Sequence, residues 1–182
     1  MKKILLILTT LLFGLNVYSQ NTFDNVVFSK LLIKKVNQIR IQNGVDTLSL
    51  SLDFGLGYSK KVSTIISEED SLFHPNIPKG DVKDIINSVR VKYGLINNID
   101  TTRLKYGIGE VCVDVWGFES YDKFVNQVIN SFKSSEQHNE ILFNTNSDTE
   151  GHTMVMGTYV IENENNYYVT IDIIDFGYFF YN

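Results

Sequence analysis

Cysteine is nearly missing from this chain: Cys112 is the only one in 182 residues. A single cysteine cannot close an internal disulfide, so the fold must be held by its core alone. Proline is almost as scarce. Only Pro75 and Pro78 occur, which excludes proline-rich linkers and leaves one marked break in the helical patterning. There are three histidines, His74, His138 and His152, so an imidazole site has few candidates. Basic charge is in deficit, with 16 Lys and Arg against 21 Asp and Glu and a net charge of −5. That excludes the broadly basic face wanted by nucleic acid or an anionic membrane surface. Internal repeats and low-complexity tracts are absent.

A transmembrane-length apolar run is also missing. The longest, Ile4 to Leu15 in "MKKILLILTTLLFGLNVYSQ", falls short of the roughly 20 residues a spanning helix needs. Lys2 and Lys3 precede it, and Val17-Tyr18-Ser19 follows with compact residues at the cleavage positions. This is the layout of a secretory signal peptide over residues 1–19, cut after Ser19. No cysteine near the cut supports a lipid anchor. The mature chain would be one domain, residues 20–182, secreted or periplasmic. Less Lys2 and Lys3, its 14 basic residues face 21 acidic ones, a net charge of −7.

What is present is mainly helical periodicity followed by strands. Phe23, Val27, Leu31, Leu32, Val36 and Ile39 recur at helical spacing up to an Asn43-Gly44 stop. "VDTLSLSLD" reads as a connection, with Ser51 capping a second helix that keeps Leu52, Leu56, Val62 and Ile66 on one side. Gly55 and Gly57 each cost that helix about 1 kcal/mol relative to alanine and point to close packing. "SEEDSLFHPNIPKG" reads as a surface loop, and Asp81 as the cap of a third helix carrying Val82, Ile85, Ile86 and Val89. "EVCVDVW" alternates as a strand. Val111, Val113 and Val115 share one face, and Glu110, Cys112, Asp114 and Trp116 the other. Ser120 opens a fourth helix through Tyr121, Phe124, Val128 and Phe132. "HTMVMGTYVI" and "NYYVTIDIID" form a hairpin across "ENEN". Helices packed on a small sheet give an α+β sandwich.

Several motifs, in this order, resemble those of the CAP superfamily, the SCP-like extracellular domains. Asn37, Arg40, Asn43-Gly44, Leu48, Leu50, Asp53 and Leu56 match its opening helix and the entry to its second helix. "FHP" at His74 matches its loop histidine, and Gly109-Glu110-Val111 its "GEN" motif. "SFKSSEQHNEILF" matches its "W…S.GHR.NIL" block, and Val155-Met156-Gly157 and Tyr167-Tyr168-Val169 its closing strands. Val111 replaces the usual asparagine, Gln137 and Asn139 flank His138 in place of glycine and arginine, and Phe132 stands where tryptophan is common. Glu136 lies near the family's second glutamate but is not assigned its role. The resemblance implies a three-layer α-β-α sandwich with a small, mainly antiparallel sheet. It also implies a cleft lined by His74, Glu110 and His138, which in some members holds zinc or another divalent cation.

Family activities are diverse, so two functions stay open. One is a secreted binding protein whose cleft takes a small molecule, lipid, peptide or metal, with no nucleic acid partner. The other is a metal-assisted hydrolase or peptidase with Glu110 as base. Two histidines and one carboxylate suit an open zinc site, although each residue also has a plain structural reading. Ser134 and Ser135 read as helix caps, Cys112 as a small buried residue, and His152 as structural or exposed. "SEED" lacks the ligand spacing of a calcium loop. The aromatic tail "FGYFFYN" packs at a sheet edge or offers a stacking surface.

Overall fold

Asp24 opens the first helix, α1 (Asn25–Gln42), by accepting hydrogen bonds from the Val26 and Val27 amides through its side chain. The structure is a computed structural model and describes residues 23–93, 107–143 and 153–176. The expected leader, His152 and the tail beyond Phe176 lie outside the described residues.

Four strands form one sheet in the order β1-β3-β4-β2. Strand β1 (Ser49–Leu50) lies in the segment expected to be a plain connection, and pairs parallel with β3 through Ser49↔Val155 and Leu50↔Met156. Two residues show no periodicity in sequence, so only the tertiary pairing reveals this strand. Strands β3 (Met154–Asn163) and β4 (Asn166–Asp175) are the expected antiparallel hairpin. Its two-residue turn places Glu164 at φ 57°. Strand β2 (Gly107–Trp116) pairs antiparallel with β4 along its whole length.

The second helical region is not continuous. It begins with α2 (Leu52–Phe54), passes through a π-helical stretch at Gly55–Ser59, and continues as α3 (Lys60–Glu68). Ser51 Oγ caps it by accepting from the Phe54 amide at 3.2 Å. The π stretch breaks the expected stripe at its start: Leu56 is 56% exposed, while Phe54 and Tyr58 join the expected Val62 and Ile66 in the core on that face of the sheet. Wide π turns rotate the side chains after them relative to a regular α-helix. The next helix, α4 (Lys79–Lys92), starts ahead of Asp81, with Pro78 at the N-cap. Proline's fixed φ suits a helix entry and needs no side-chain cap. On the other side lie α5 (Tyr121–Ser134) and α6 (Glu136–Phe143). The expected cap holds on α5, where Ser120 Oγ accepts from the Lys123 amide.

Each face of the sheet has its own core. One packs Leu32 and Val36 of α1, Phe124 and Phe132 of α5, and Leu142 of α6 against Val111, Met156 and Ile171. The other packs Phe54, Val62, Ile66 and Ile86 against Cys112, Val155 and Ile174. Burying each of these large apolar side chains stabilises the fold by about 1.5–3 kcal/mol. The result is the expected α-β-α sandwich with a mainly antiparallel sheet.

Candidate functional site

Strand alternation decides which β2 residues reach the site. Val111 and Val115 point into the α1/α5/α6 core, so Glu110 and Cys112 point to the opposite face. Strand β2 is at one edge of the sheet, where the loop after α3 reaches it from one side and α6 from the other. Gly109 permits the second approach: a Cβ there would lie 2.8 Å from Ile141 Cγ2 of α6.

The loop brings His74 onto Glu110. His74 Nδ1 lies 2.7 Å from Glu110 Oε1, with the histidine side chain 61% exposed and the glutamate side chain 11% exposed. Cys112 Sγ is 3.9 Å from the same carboxylate oxygen. One donor atom from each of His74, Glu110 and Cys112 can be chosen so that all lie within 4.8 Å of one another. His138 is not in this trio. It lies on α6, its ring edge-on to Phe132 at 5.6 Å between centroids. Burial lowers its pKa and the His74 imidazole lowers it further, so the two rings feel one another through space and His138 is biased towards its neutral form.

The floor of the site contains groups that motif matching passed over. Cys112 Sγ also lies 3.8 Å from Thr170 Oγ1. Ser63 Oγ is 2.9 Å from Thr170 Oγ1 and 3.1 Å from the Tyr159 carbonyl. Burial, then Glu110, pushes the Cys112 thiol up to about 12. That favours the thiol form, and the residue is buried as its plain structural reading expected. Asp172 stands opposite Glu110 in the β2–β4 register and is fully buried. Neither of its carboxylate oxygens, nor Ser59 Oγ of the π stretch, has a hydrogen-bond partner at normal geometry. Burial holds its pKa well above the ordinary range, against a lowering by Ser59, and Glu110 raises it further. An acid set between Ile171 and Ile173 in the strand run was the available signal.

The other motif residues hold the fold. Asn37 bridges to Leu48, its Nδ2 donating to the carbonyl at 2.9 Å and its Oδ1 accepting from the amide at 2.8 Å. Arg40 is fully buried. Its Nε donates to the Asp46 carbonyl at 2.6 Å and its Nη1 to the Leu142 carbonyl at 3.0 Å. Asp53 pairs on the surface with Lys92. Ser134 Oγ donates to the Ser131 carbonyl, and Ser135 Oγ accepts weakly from the His138 amide, so both are helix-end groups.

No family model matches the chain, and no curated protein matches it in sequence. Among solved structures, an outer surface protein from Borrelia burgdorferi is similar at 17% identity and a TM-score of 0.53, over 84% of this chain and 95% of that one. A cysteine-rich secretory protein from Staphylococcus aureus aligns at 14% identity and a TM-score of 0.44, over 82% of this chain and 39% of that one. At these identities the likeness is one of architecture. The chain has the α-β-α architecture that the CAP resemblance implies, and it shares its fold with the Borrelia protein over most of both chains.

Proposed function

We propose that this chain is an exported, single-domain binding protein. Residues 1–19 would direct it out of the cytoplasm and residues 20–182 would form its one domain. The cleft at the β2 edge would take a small ligand through His74, Glu110 and His138, the simplest such ligand being zinc or a similar divalent cation. The observation that carries this reading is the 2.7 Å contact between His74 Nδ1 and Glu110 Oε1, made by residues 36 positions apart in sequence. The description of the Borrelia relative as an outer surface protein supports the location. No described helix is long and apolar enough to cross a membrane.

The donor chemistry suits a cation of this class, since imidazole, carboxylate and thiol are all zinc ligands. His74 and Glu110 are hydrogen-bonded to one another as they stand. A cation would replace that bond with one bond to each residue, Nδ1 or Nε2 of His74 being available by ring rotation. His138 lies outside the trio of His74, Glu110 and Cys112, and would serve as a further nitrogen ligand on the reading that the CAP resemblance implies. Cys112, held as a thiol, would contribute only by giving up its proton. A bound cation would supply Lewis acidity, while Glu110 and His74 would orient whatever water or ligand head group enters.

Calorimetric titration of the protein with zinc chloride tests this. One site is expected, weakened at least tenfold by Glu110→Gln and abolished in the His74→Ala/His138→Ala double variant. Equal uptake by wild type and double variant would sink the metal reading. Cys112→Ser separates the third ligand: unchanged affinity selects His138, and a large loss selects sulfur. The second reading, a metal-assisted hydrolase with Glu110 as base, would use the same three residues and adds a water-activation step. Turnover of a broad fluorogenic peptide library that disappears in Glu110→Gln would reverse the order.

A further inference from the structure

Beneath the His74–Glu110 contact lies a carboxyl group that the cleft reading leaves unused. Asp172 of β4 stands directly opposite Glu110 of β2. Ile171 and Ile173 point into the α1/α5/α6 core, so alternation puts Asp172 on the same face of the sheet as Glu110. Residues directly opposite in an antiparallel pair have their Cβ atoms about 4.5–5.5 Å apart. The two carboxyl groups are thus rooted where both can reach one ion between them.

Asp172 is fully buried, and neither of its oxygens has a hydrogen-bond partner among the described residues. A buried carboxylate left in that state is costly unless a counter-charge meets it. The neighbouring hydroxyls are already committed. Thr158 Oγ1 donates to the Thr170 carbonyl at 2.7 Å, and Ser63 Oγ meets Thr170 Oγ1 at 2.9 Å. Ser59 Oγ of the π stretch is the exception. It is buried without a partner, and it stands near enough to Asp172 to lower its pKa. Gly157 brings the π stretch here: it opposes Asp172 from β3, and a Cβ on it would lie 2.8 Å from the Gly55 amide nitrogen. The floor therefore gathers three unsatisfied oxygen atoms, two of a carboxyl group and one of a hydroxyl, under a cleft that carries imidazole and carboxylate. Carboxylate oxygens suit magnesium, calcium and manganese, whereas imidazole and thiolate suit zinc.

We propose that Asp172 is a buried ligand of the cation in this cleft, closing the site from below with the Ser59 hydroxyl beside it, and that it tunes the site towards oxygen-seeking ions of the manganese class. The inference rests on the reading of the cleft as a cation site and adds to it a second carboxylate, from a different strand.

Thermal melting of the protein, first stripped with EDTA and then given manganese(II) chloride or zinc chloride over a concentration series, tests the proposal. Both ions are expected to raise the melting temperature saturably. Asp172→Asn matches the shape of the carboxyl group and removes its charge, so it should fold. It should weaken manganese at least tenfold and zinc less than threefold, since zinc keeps both imidazoles and Glu110. Ser59→Ala should weaken manganese by a smaller factor than Asp172→Asn does. An Asp172→Asn protein that takes both ions as wild type does would overturn the proposal and leave the cleft reading standing. Equal losses of the two ions would also overturn it, marking Asp172 as a support of the cleft's shape. A wild-type protein stabilised by neither ion would sink the cleft reading itself, and this inference with it.

Discussion

At the scale of single residues, two buried charged groups behave in opposite ways. Arg40 spends its guanidinium on the Asp46 and Leu142 carbonyls. It thereby ties the end of α1 to the end of α6, and burial lowers its pKa only to about 10. Arg40→Met keeps the volume but orphans both carbonyls, so it should cost about 2–4 kcal/mol in a urea melt. Asp172 is the reverse case, a fully buried acid with no normal hydrogen bond. Its folded pKa is raised above the ordinary 3.8 by burial first, then by Glu110. The folded state therefore holds its proton more tightly than the unfolded chain. Asp172 penalises stability little below pH 3.8, and increasingly as pH rises from there towards its folded value. Asp172→Asn should raise the melting temperature at neutral pH, with the difference shrinking as the pH falls to about 4. A difference constant across that range would mean the carboxyl does not titrate with folding. Cys112, pushed to about 12, should resist iodoacetamide at about pH 7.5 in the native protein and react once urea unfolds it.

At the scale of elements, the π stretch is where the chain departs most from its own pattern. Gly55 and Gly157 meet there. A Cβ on Gly55 would lie 2.6 Å from the Thr158 carbonyl oxygen, and one on Gly157 would lie 2.8 Å from the Gly55 amide nitrogen. Gly55→Ala therefore presses on backbone and should cost about 1–3 kcal/mol or more in chemical denaturation. Gly57→Ala meets only the flexible Ile85 side chain, at 3.2 Å, and should cost less. Close packing was legible in the sequence, since two glycines in a helical window demand a reason, but the change of helix type was not. Leu56 fits a regular amphipathic stripe, so its outward turn could not be read from spacing. Strand β1 was hidden for a related reason: two residues carry no period. By contrast, β2 and the hairpin were legible because alternation over many residues leaves one assignment of faces. In the site, His74 and Glu110 were identified by motif order and do meet. Cys112 was legible as a neighbour of Glu110 through the alternation of one strand, whereas Asp172 was missed because cross-strand register is invisible until the strands are paired.

At the scale of the whole molecule, two independent cores sandwich a sheet with no covalent cross-link, since the lone thiol is buried. The domain should melt at the same temperature with and without dithiothreitol. A lowered melting temperature in reductant would point to an intermolecular disulfide. The layers also share stability unequally. The α1/α5/α6 side holds a dense aromatic group, with Phe23 in ring contact with Phe28, Phe118, Tyr121, Phe124 and Tyr167. Phe124→Ala should therefore cost about 3–5 kcal/mol.

The hairpin lies at the middle of the sheet, and both β1 and β2 pair only with it. Neither strand has a partner until residues 154–175 have been made, although β1 is synthesised well before them. A chain cut short before residue 154 should therefore lack the sheet altogether, while keeping helix-forming sequence.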